Sequence, residues 1–428
     1  MRIAFFEDHE CLNVGPIALL RPAFDLVCGH FALRERVLRG QGASRWGVFI
    51  RDWLAETWHE QHPECEINDA RWLAEEPTFF VNGRWLASFA NLQNIDPNVV
   101  GVIDGTVAYI TLAPAEAALF EGGDWEQAIY QIARTRRRIE APGKLFQYPW
   151  QLVEENANQI RADFEARTAR GWFPSHEQVA LIGPAKHVSV DRTAQIDPFI
   201  VFDSTRGPIS VDAGAVIQSF TRLEGPCHIA TGARLFRANI RGGTTIGPGC
   251  RIGGEIEASI LHAHVNKYHD GFLGHSYVAP WVNLGALSTN SDLKNDYSAV
   301  RVPLAGKSID TRLAKAGCYI GDHTKTGLGS LFNTGSSVGV MCMILPGGEL
   351  LPKHVPSFTA VWHGELADAM PLERSLAAAR IAMQRRGHEL TAAQERLLRL
   401  VYQSTQAERD EAIVRFQERR ERAASASA

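Results

Sequence analysis

Along residues 211–239 the apolar positions keep a six-residue rhythm: Val211, Ile217, Leu223, Ile229 and Leu235. Four residues after each stands a small side chain, in turn Ala215, Thr221, Cys227, Ala233 and Asn239. A helix repeats its apolar face about every 3.6 residues and a half-buried strand every two, so neither produces this pattern. A triangular parallel β-helix does: each flat side takes one hexapeptide, the aliphatic residue points into the prism and the small one fits the corner. The rhythm continues through Ile240, Ile246 and Ile252, with Thr244 and Cys250 at the small positions. It resumes at Val278 and Leu284 and closes with Ile320, Thr326, Phe332, Val338 and Ile344. An ordinary β-sandwich alternates every second residue and does not hold one phase over five repeats. The pattern therefore predicts a prism over residues 180–358, interrupted at 257–272 and 290–317. Insertions in a solenoid become loops, commonly on the working face, so both stretches are expected to leave the prism.

Residues 1–175 have another texture. Apolar runs at 3–6, 46–50, 78–81 and 99–103 read as short buried strands, with helical or irregular stretches such as 31–38 and 52–60 between them. That alternation suggests an α/β domain. A helical region follows from Trp125 to about Arg170, broken at Ala141-Pro142-Gly143 and again near Tyr148-Pro149. Beyond Pro356 the pattern turns helical. Residues 372–386 end at Gly387, which suits a left-handed C-cap, and Thr391 with Gln394 forms a capping box opening a second helix to about Arg420. This segment, 366–420, is expected to cover the open end of the prism and its strand edges. The Ala-Ser run after it is expected to be disordered.

Composition narrows the classes. The 428 residues suffice for two or three domains. The formal net charge is −4 with both signs interspersed, which argues against a nucleic-acid binder. No apolar run reaches membrane-spanning length, and the opening Ile3–Phe6 run is stopped by Glu7 and Asp8, too early for a signal peptide. Seven scattered cysteines without a C-x-x-C pair fit reduced thiols, so a cytoplasmic protein is expected.

The first interruption holds His262, His264 and His269, with His275 just beyond. Such a cluster invites a zinc reading, but acidic or thiolate partners at ligand spacing are missing. One of the four, His269, is singled out by the residues that follow it, and an imidazole with pKa near ~6.5 is the side chain best matched to taking a proton at neutral pH. Arg237, Arg241, Arg251 and Lys267 lie on the same or preceding coils and offer cations for a phosphate.

The stretch from His269 to Ala286 resembles the acetyltransferase half of GlmU-type bifunctional enzymes. His269, Leu273, Gly274, Val282, Asn283, Gly285 and Ala286 match that family's H-x-x-Y-L-G and V-N-I-G-A-G-T steps without a gap. Phe272 stands where the family has tyrosine, and Asn290 to Lys294 only loosely echo its N-Y-D-G-x-x-K element. The N-terminal half lacks the glycine-rich phosphate loop of sugar nucleotidyltransferases. Instead it carries Arg21-Pro22-Ala23-Phe24-Asp25-Leu26 and Gly29, similar to an R-P-x-x-[DE]-L-[RV]-x-G motif of a divergent GlmU-like branch. The likeness extends through Val81–Arg84, Tyr148–Leu152 and 331–357.

The resemblance implies an α/β nucleotidyltransferase-like domain with a helical linker (1–175), a left-handed β-helix acyltransferase domain (180–358) and C-terminal helices. It implies acetyl transfer from acetyl-CoA to glucosamine-1-phosphate and Mg²⁺-dependent coupling to a nucleoside triphosphate, giving UDP-N-acetylglucosamine. His269 would be the general base. Asn283, Lys267, Arg241, Asn290, Lys294 and Phe272 would meet the acceptor, Arg21 and Asp25 the nucleotide, and Asp104 the metal. A homotrimer is implied. Two alternatives stay open: a nucleotidyltransferase whose prism only assembles the trimer, and a metal-binding β-helix protein.

Overall fold

The computed structural model describes residues 2–43, 45–93, 95–166, 177–367 and 371–427. The chain forms two compact units, Met1–Val14 with Leu20–Tyr148 and Gly15–Leu19 with Pro149–Ala428. The end of the expected linker helix, near Arg170, lies outside the described residues.

The first unit is built on a seven-stranded sheet: β1 (Arg2–Phe6), β2 (Arg45–Phe49), β3 (Glu66–Ile67), β4 (Thr78–Asn82), β5 (Val100–Ile103), β6 (Thr106–Leu112) and β7 (Arg138–Glu140). Their spatial order is β7-β5-β6-β4-β1-β2-β3, all parallel except β6. β1 and β4 are buried along their whole length, as central strands of a largely parallel sheet must be. All four expected strands are present, within a residue or so at each end. β6 was not expected. It follows β5 through a two-residue Asp104-Gly105 turn with both residues at positive φ, the hairpin geometry that Asp-Gly favours. Two short strands, Val27–Cys28 and Phe31–Ala32, pair just before helix α1 (Leu33–Gln41), and α2 (Trp125–Ala133) buries Ala128, Ile129, Ile132 and Ala133 in the core with Phe6, Phe49 and Phe80.

The second unit is the parallel β-helix. One flat side stacks nine strands, from Val188–Val190 through Ile209–Val211, Cys227–Ile229 and Thr244–Ile246 to His354–Val355. The repeat residues Val211, Ile217, Leu223, Ile229 and Leu235 are all essentially buried and line one continuous core. Helix α3 (Pro149–Glu165), expected as a linker, packs on this side. The Asn156 amide donates to the Gly243 carbonyl (2.8 Å) and accepts from the Thr245 hydroxyl (3.1 Å).

The two interruptions differ. Residues 257–272 do not leave the prism. Ile260–Leu261, Asn266–Lys267 and Phe272–Gly274 pair in register with the coil before them. Two things hide this coil in the sequence. Leu261 pairs directly with Ile246, so the coil closes in fewer than three full hexapeptides and the phase slips. Lys267, register partner of the inward Ile252, fills an apolar position with a lysine stem. Residues 290–317 do leave the prism and carry the antiparallel hairpin β8 (Arg301–Leu304) and β9 (Lys307–Asp310).

At the C-terminal end, α4 (Leu372–Gln384), α5 (Ala392–Ser404) and α6 (Gln406–Ser427) follow the last coil. The Thr391–Gln394 capping box forms as expected. Ile413 and Phe416 of α6 pack on the prism core, so the helix covers the open end. The Ala-Ser tail to Ser427 continues α6 instead of being disordered.

Candidate functional site

In the first unit the chain runs from β1 to β2 and β3 on one side, then returns to β4 on the other. Open α/β sheets bind ligands in the crevice that such a reversal leaves at the C-terminal strand ends. Here that edge carries Glu7 and Asp8 after β1, Arg51 after β2, and Asn82 with Arg84 around the end of β4. A cleft of about 500 Å³ beside it is lined by Glu7, Asp8, Arg51, Trp53, Trp125 and Glu126, among others.

Its charges are fixed in pairs. Arg84 donates to both Asp8 carboxylate oxygens (2.7 and 2.6 Å), and the Asn82 amide adds a third bond (2.8 Å). Burial alone would push the Asp8 carboxyl up, but Arg84 and Asn82 outweigh it and hold the group below its ordinary value. Arg51 spans both oxygens of Glu7 (2.9 and 3.0 Å) and donates to the Arg21 carbonyl (2.8 Å). Glu7 also accepts from the Ala23 amide (2.9 Å), so the Arg21-Pro22-Ala23 motif is tied to this edge. Asp25 is paired instead with Arg34 of α1 (3.0 Å). Asp104 is exposed in the β5–β6 turn. Because β5 runs parallel to β1 and β4, that turn lies at the same sheet edge.

On the prism, a cleft of about 540 Å³ lies between α3, one corner of the coils and the base of the 290–317 insertion. His275 sits on this corner at φ +48°, its Nδ1 2.7 Å from the Asp292 carboxylate. Burial pushes Asp292 up, while the hydrogen bond and charge of His275 and the charge of Lys315 draw it down, leaving it below its usual value. The Asn290 amide brackets Gly274, accepting from its N–H (2.8 Å) and donating to its carbonyl (3.0 Å). The Ala316 amide donates to the Asp292 carbonyl (2.9 Å) and the Gly317 amide to the His275 carbonyl (2.8 Å). A Cβ on Gly274 would stand 2.7 Å from Asp292 Oδ2, so the close approach needs glycine there. Arg241 also lines the cleft and bonds Glu257 (2.8 Å) and Glu255 (3.3 Å).

The other expected acceptor residues are dispersed. His269 is exposed, its ring edge-on to Tyr268 (5.8 Å). It sits on a coil corner, which corrects the expectation of a projecting loop. Lys267 is buried, and its ammonium is committed to the carbonyls of Gly253 (2.9 Å) and His269 (3.0 Å), so it does not offer a cation to phosphate. Asn290 is likewise buried in its bracket around Gly274. Lys294 bonds Ser298 (3.0 Å) and the Ala299 carbonyl (2.6 Å) within the insertion. Asn283 accepts from the Asn266 amide (2.7 Å), and Phe272 is half-buried beside Gly274.

The four histidines do not converge. His262 accepts from the Ala263 amide, His264 stacks on Trp281 (4.3 Å), and burial together with the charges of His388 and Arg386 lowers His264 to about 4. Among the described residues no three His, Cys, Asp or Glu side chains group to hold a metal ion. Sequence reasoning missed the His275–Asp292 pair. The signal was its separation of seventeen residues, about one coil, which stacks the two over one another.

Residues 3–171 match the sugar nucleotidyl transferase family. The chain is 29% identical over 142 residues to the bifunctional protein GlmU of Jannaschia sp., covering 31% of this chain and 30% of that protein. It is 31% identical over 93 residues to the bifunctional sugar-1-phosphate nucleotidylyltransferase/acetyltransferase of Sulfurisphaera tokodaii, covering 22% and 23%. An uncharacterized acetyltransferase of Escherichia coli, YaiX, is 29% identical over 165 residues, 38% of this chain and 66% of that protein. The chain thus spans less than a third of the two bifunctional relatives. The UDP-N-acetylglucosamine acyltransferase of Francisella novicida aligns over 50% of this chain and 73% of its own at 12% identity and a TM-score of 0.31, too low to add to what the strand pairing shows. Among the described residues no helix is long and apolar enough to cross a membrane. This chain carries a sugar nucleotidyl transferase domain and is distantly homologous to GlmU bifunctional proteins and to acetyltransferases.

Proposed function

We propose that the protein is a bifunctional enzyme of amino-sugar nucleotide synthesis. The prism transfers acetyl from acetyl-CoA to glucosamine-1-phosphate, and the N-terminal domain couples the product to a nucleoside triphosphate, giving UDP-N-acetylglucosamine. The observation that carries the reading is the edge described above: a family-matched α/β sheet whose reversal point gathers Glu7, Arg51 and the Arg21 motif.

In the nucleotidyl step a sugar-phosphate oxygen attacks the α-phosphorus and pyrophosphate leaves. That reaction needs positioning and charge neutralisation more than covalent help. Arg21 is the proposed phosphate contact. Asp25 is the weaker nucleotide-binding candidate, since Arg34 holds it. Magnesium takes one or two carboxylates together with substrate phosphates, and the exposed Asp104 at the same edge suits that sparse donor set. In the acetyl step the resemblance assigns the proton acceptor to His269, with Asn283 and Phe272 near the acceptor sugar and Arg241 toward its phosphate. We further propose a cytoplasmic homotrimer.

The buried commitments of Lys267 and Asn290 favour a second reading, in which the prism only assembles the oligomer. One experiment separates the two. The protein is incubated with Mg²⁺, glucosamine-1-phosphate or its N-acetyl form, and each nucleoside triphosphate, with and without acetyl-CoA. Release of both thiol and pyrophosphate is expected, with the sugar nucleotide identified by mass. Pyrophosphate without thiol supports the scaffold reading, and neither product sinks both.

A further inference from the structure

The two imidazoles of one prism coil stand in opposite surroundings. His269 is exposed, and no carboxylate among the described residues orients its ring. His275 is half-buried on the wall of the 540 Å³ cleft, with Nδ1 held at 2.7 Å by Asp292. A charged carboxylate at Nδ1 fixes the proton on that nitrogen and leaves the lone pair on Nε2, the arrangement a general base needs. The carboxylate also stabilises the imidazolium once the proton has moved.

The lining suits a zwitterion. Arg206, Arg241 and Lys315 face the cleft alongside Glu224 and Glu257, so it presents both signs within a volume common for small-ligand sites. Arg241 and Lys315 both lean on Glu257 (2.8 and 4.0 Å), and Arg206 on Glu224 (3.8 Å). An amino-sugar phosphate would exchange these internal pairings for its own phosphate and ammonium. The site is also built to hold its shape. Asn290 brackets Gly274, and the Ala316 and Gly317 amides of the returning insertion bond the main-chain carbonyls of Asp292 and His275.

The geometry points to this cleft as the acceptor site and to His275, not His269, as the proton acceptor of acyl transfer. The inference rests on the acetyltransferase reading proposed above. The bound ammonium first releases one proton to water, and the amine nitrogen so freed attacks the carbonyl carbon of an acyl thioester. The C–N bond forms while Nε2 of His275 takes the proton lost from nitrogen. The C–S bond then breaks, and the departing thiolate takes that proton back from the imidazolium, leaving amide and free thiol.

The test uses the full chain with acetyl-CoA and glucosamine-1-phosphate, and reads thiol release. His275→Asn is the informative variant, because asparagine tolerates the positive φ and its amide can still bond Asp292 while offering no basic nitrogen. We expect it to lose about 10²-fold or more in kcat, the usual contribution of a general base. Asp292→Asn should lose less and shift the acidic limb of the pH–rate profile. His269→Ala should lose less than His275→Asn. The reverse ranking of the two histidine variants overturns the assignment. A second readout does not depend on turnover. The His275 imidazole resonance, identified by its loss in His275→Asn, should move when glucosamine-1-phosphate alone is titrated in. A resonance that stays fixed at saturating sugar phosphate overturns the acceptor site. A wild type releasing no thiol overturns the acetyltransferase reading and with it the base, while the resonance still decides whether the cleft binds sugar phosphate.

Discussion

The two units bury charge in different ways. At the edge of the N-terminal sheet, buried charges meet opposite charges: Asp8 with Arg84 and Glu7 with Arg51. Inside the β-helix, buried cations meet backbone. Lys267 is held by the carbonyls of Gly253 and His269, and the half-buried Lys325 by that of His323 (3.1 Å). Sheet edges bring together loops from distant parts of the chain, so a partner of either sign can be recruited. A solenoid corner offers mainly its own carbonyls, repeated coil after coil. The first arrangement ties each charge to one partner of opposite sign, and the second spreads the task over dipoles that no side-chain substitution removes.

The largest effect should come from breaking a pair. Asp8→Ala strands Arg84 in a buried site, and loss of one partner of such a pair costs about 3–5 kcal/mol. Calorimetry should show a lower melting transition for that variant. An unchanged transition would mean that water reaches Arg84 and that the pair is not buried in effect. Because the Asp8 carboxyl lies below its ordinary value when folded, its contribution is present above the usual carboxylate range and fades as pH falls through the folded value.

Lys267→Met should cost less than Asp8→Ala, since it removes a charge and strands none. Burial lowers the Lys267 ammonium to about 8, with Asp270 opposing. Between that value and the ordinary 10.5 the unfolded chain binds the proton more tightly than the folded one. Stability linked to this lysine therefore rises with pH across that window. The stability gap between wild type and Lys267→Met should shift in favour of wild type from pH 8 to 10, measured by denaturant unfolding. A gap independent of pH would break the contrast between the units.

The smallest effect belongs to a pair on the rim of the first cleft. His9 Nδ1 stands 2.7 Å from Glu126, whose hydrogen bond raises the imidazole above its usual value. His9 is largely exposed, so Glu126→Gln should cost less than about 0.5 kcal/mol. Any such cost should be present below the usual histidine range and vanish as pH rises through the raised value. A larger loss would mean that this rim behaves like the buried edge beneath it.

The prism was legible wherever its inward residue was aliphatic, as at Val211 or Ile217, because one buried side per hexapeptide imposes a period nothing else shares. It was illegible where Lys267 took an inward place and the coil from Ile246 to Leu261 ran short. There a regular coil read as an insertion. In the first unit β1 and β4 are visible as unbroken apolar runs, whereas β6 escapes because no hairpin turn was expected at Asp104-Gly105. The charged edge could not be read at all. Glu7, Arg51 and Arg84 are neighbours only because the sheet order reverses, and no spacing encodes that. Asp292 lay unnamed within the loose motif echo of Asn290 to Lys294, since its partnership with His275 depends on coil length.

The bonds at the root of the insertion have an evolutionary consequence. Asn290, Ala316 and Gly317 close the segment where it leaves and rejoins the coils. With its ends tied, adding residues to the β8–β9 hairpin costs only a slowly growing chain entropy, on the order of 0.6 kcal/mol per doubling of loop length. The tip can lengthen, shorten or change composition while His275 and Asp292 keep their spacing. Variation among descendants of this chain can therefore accumulate at the tip without disturbing the dyad at its root.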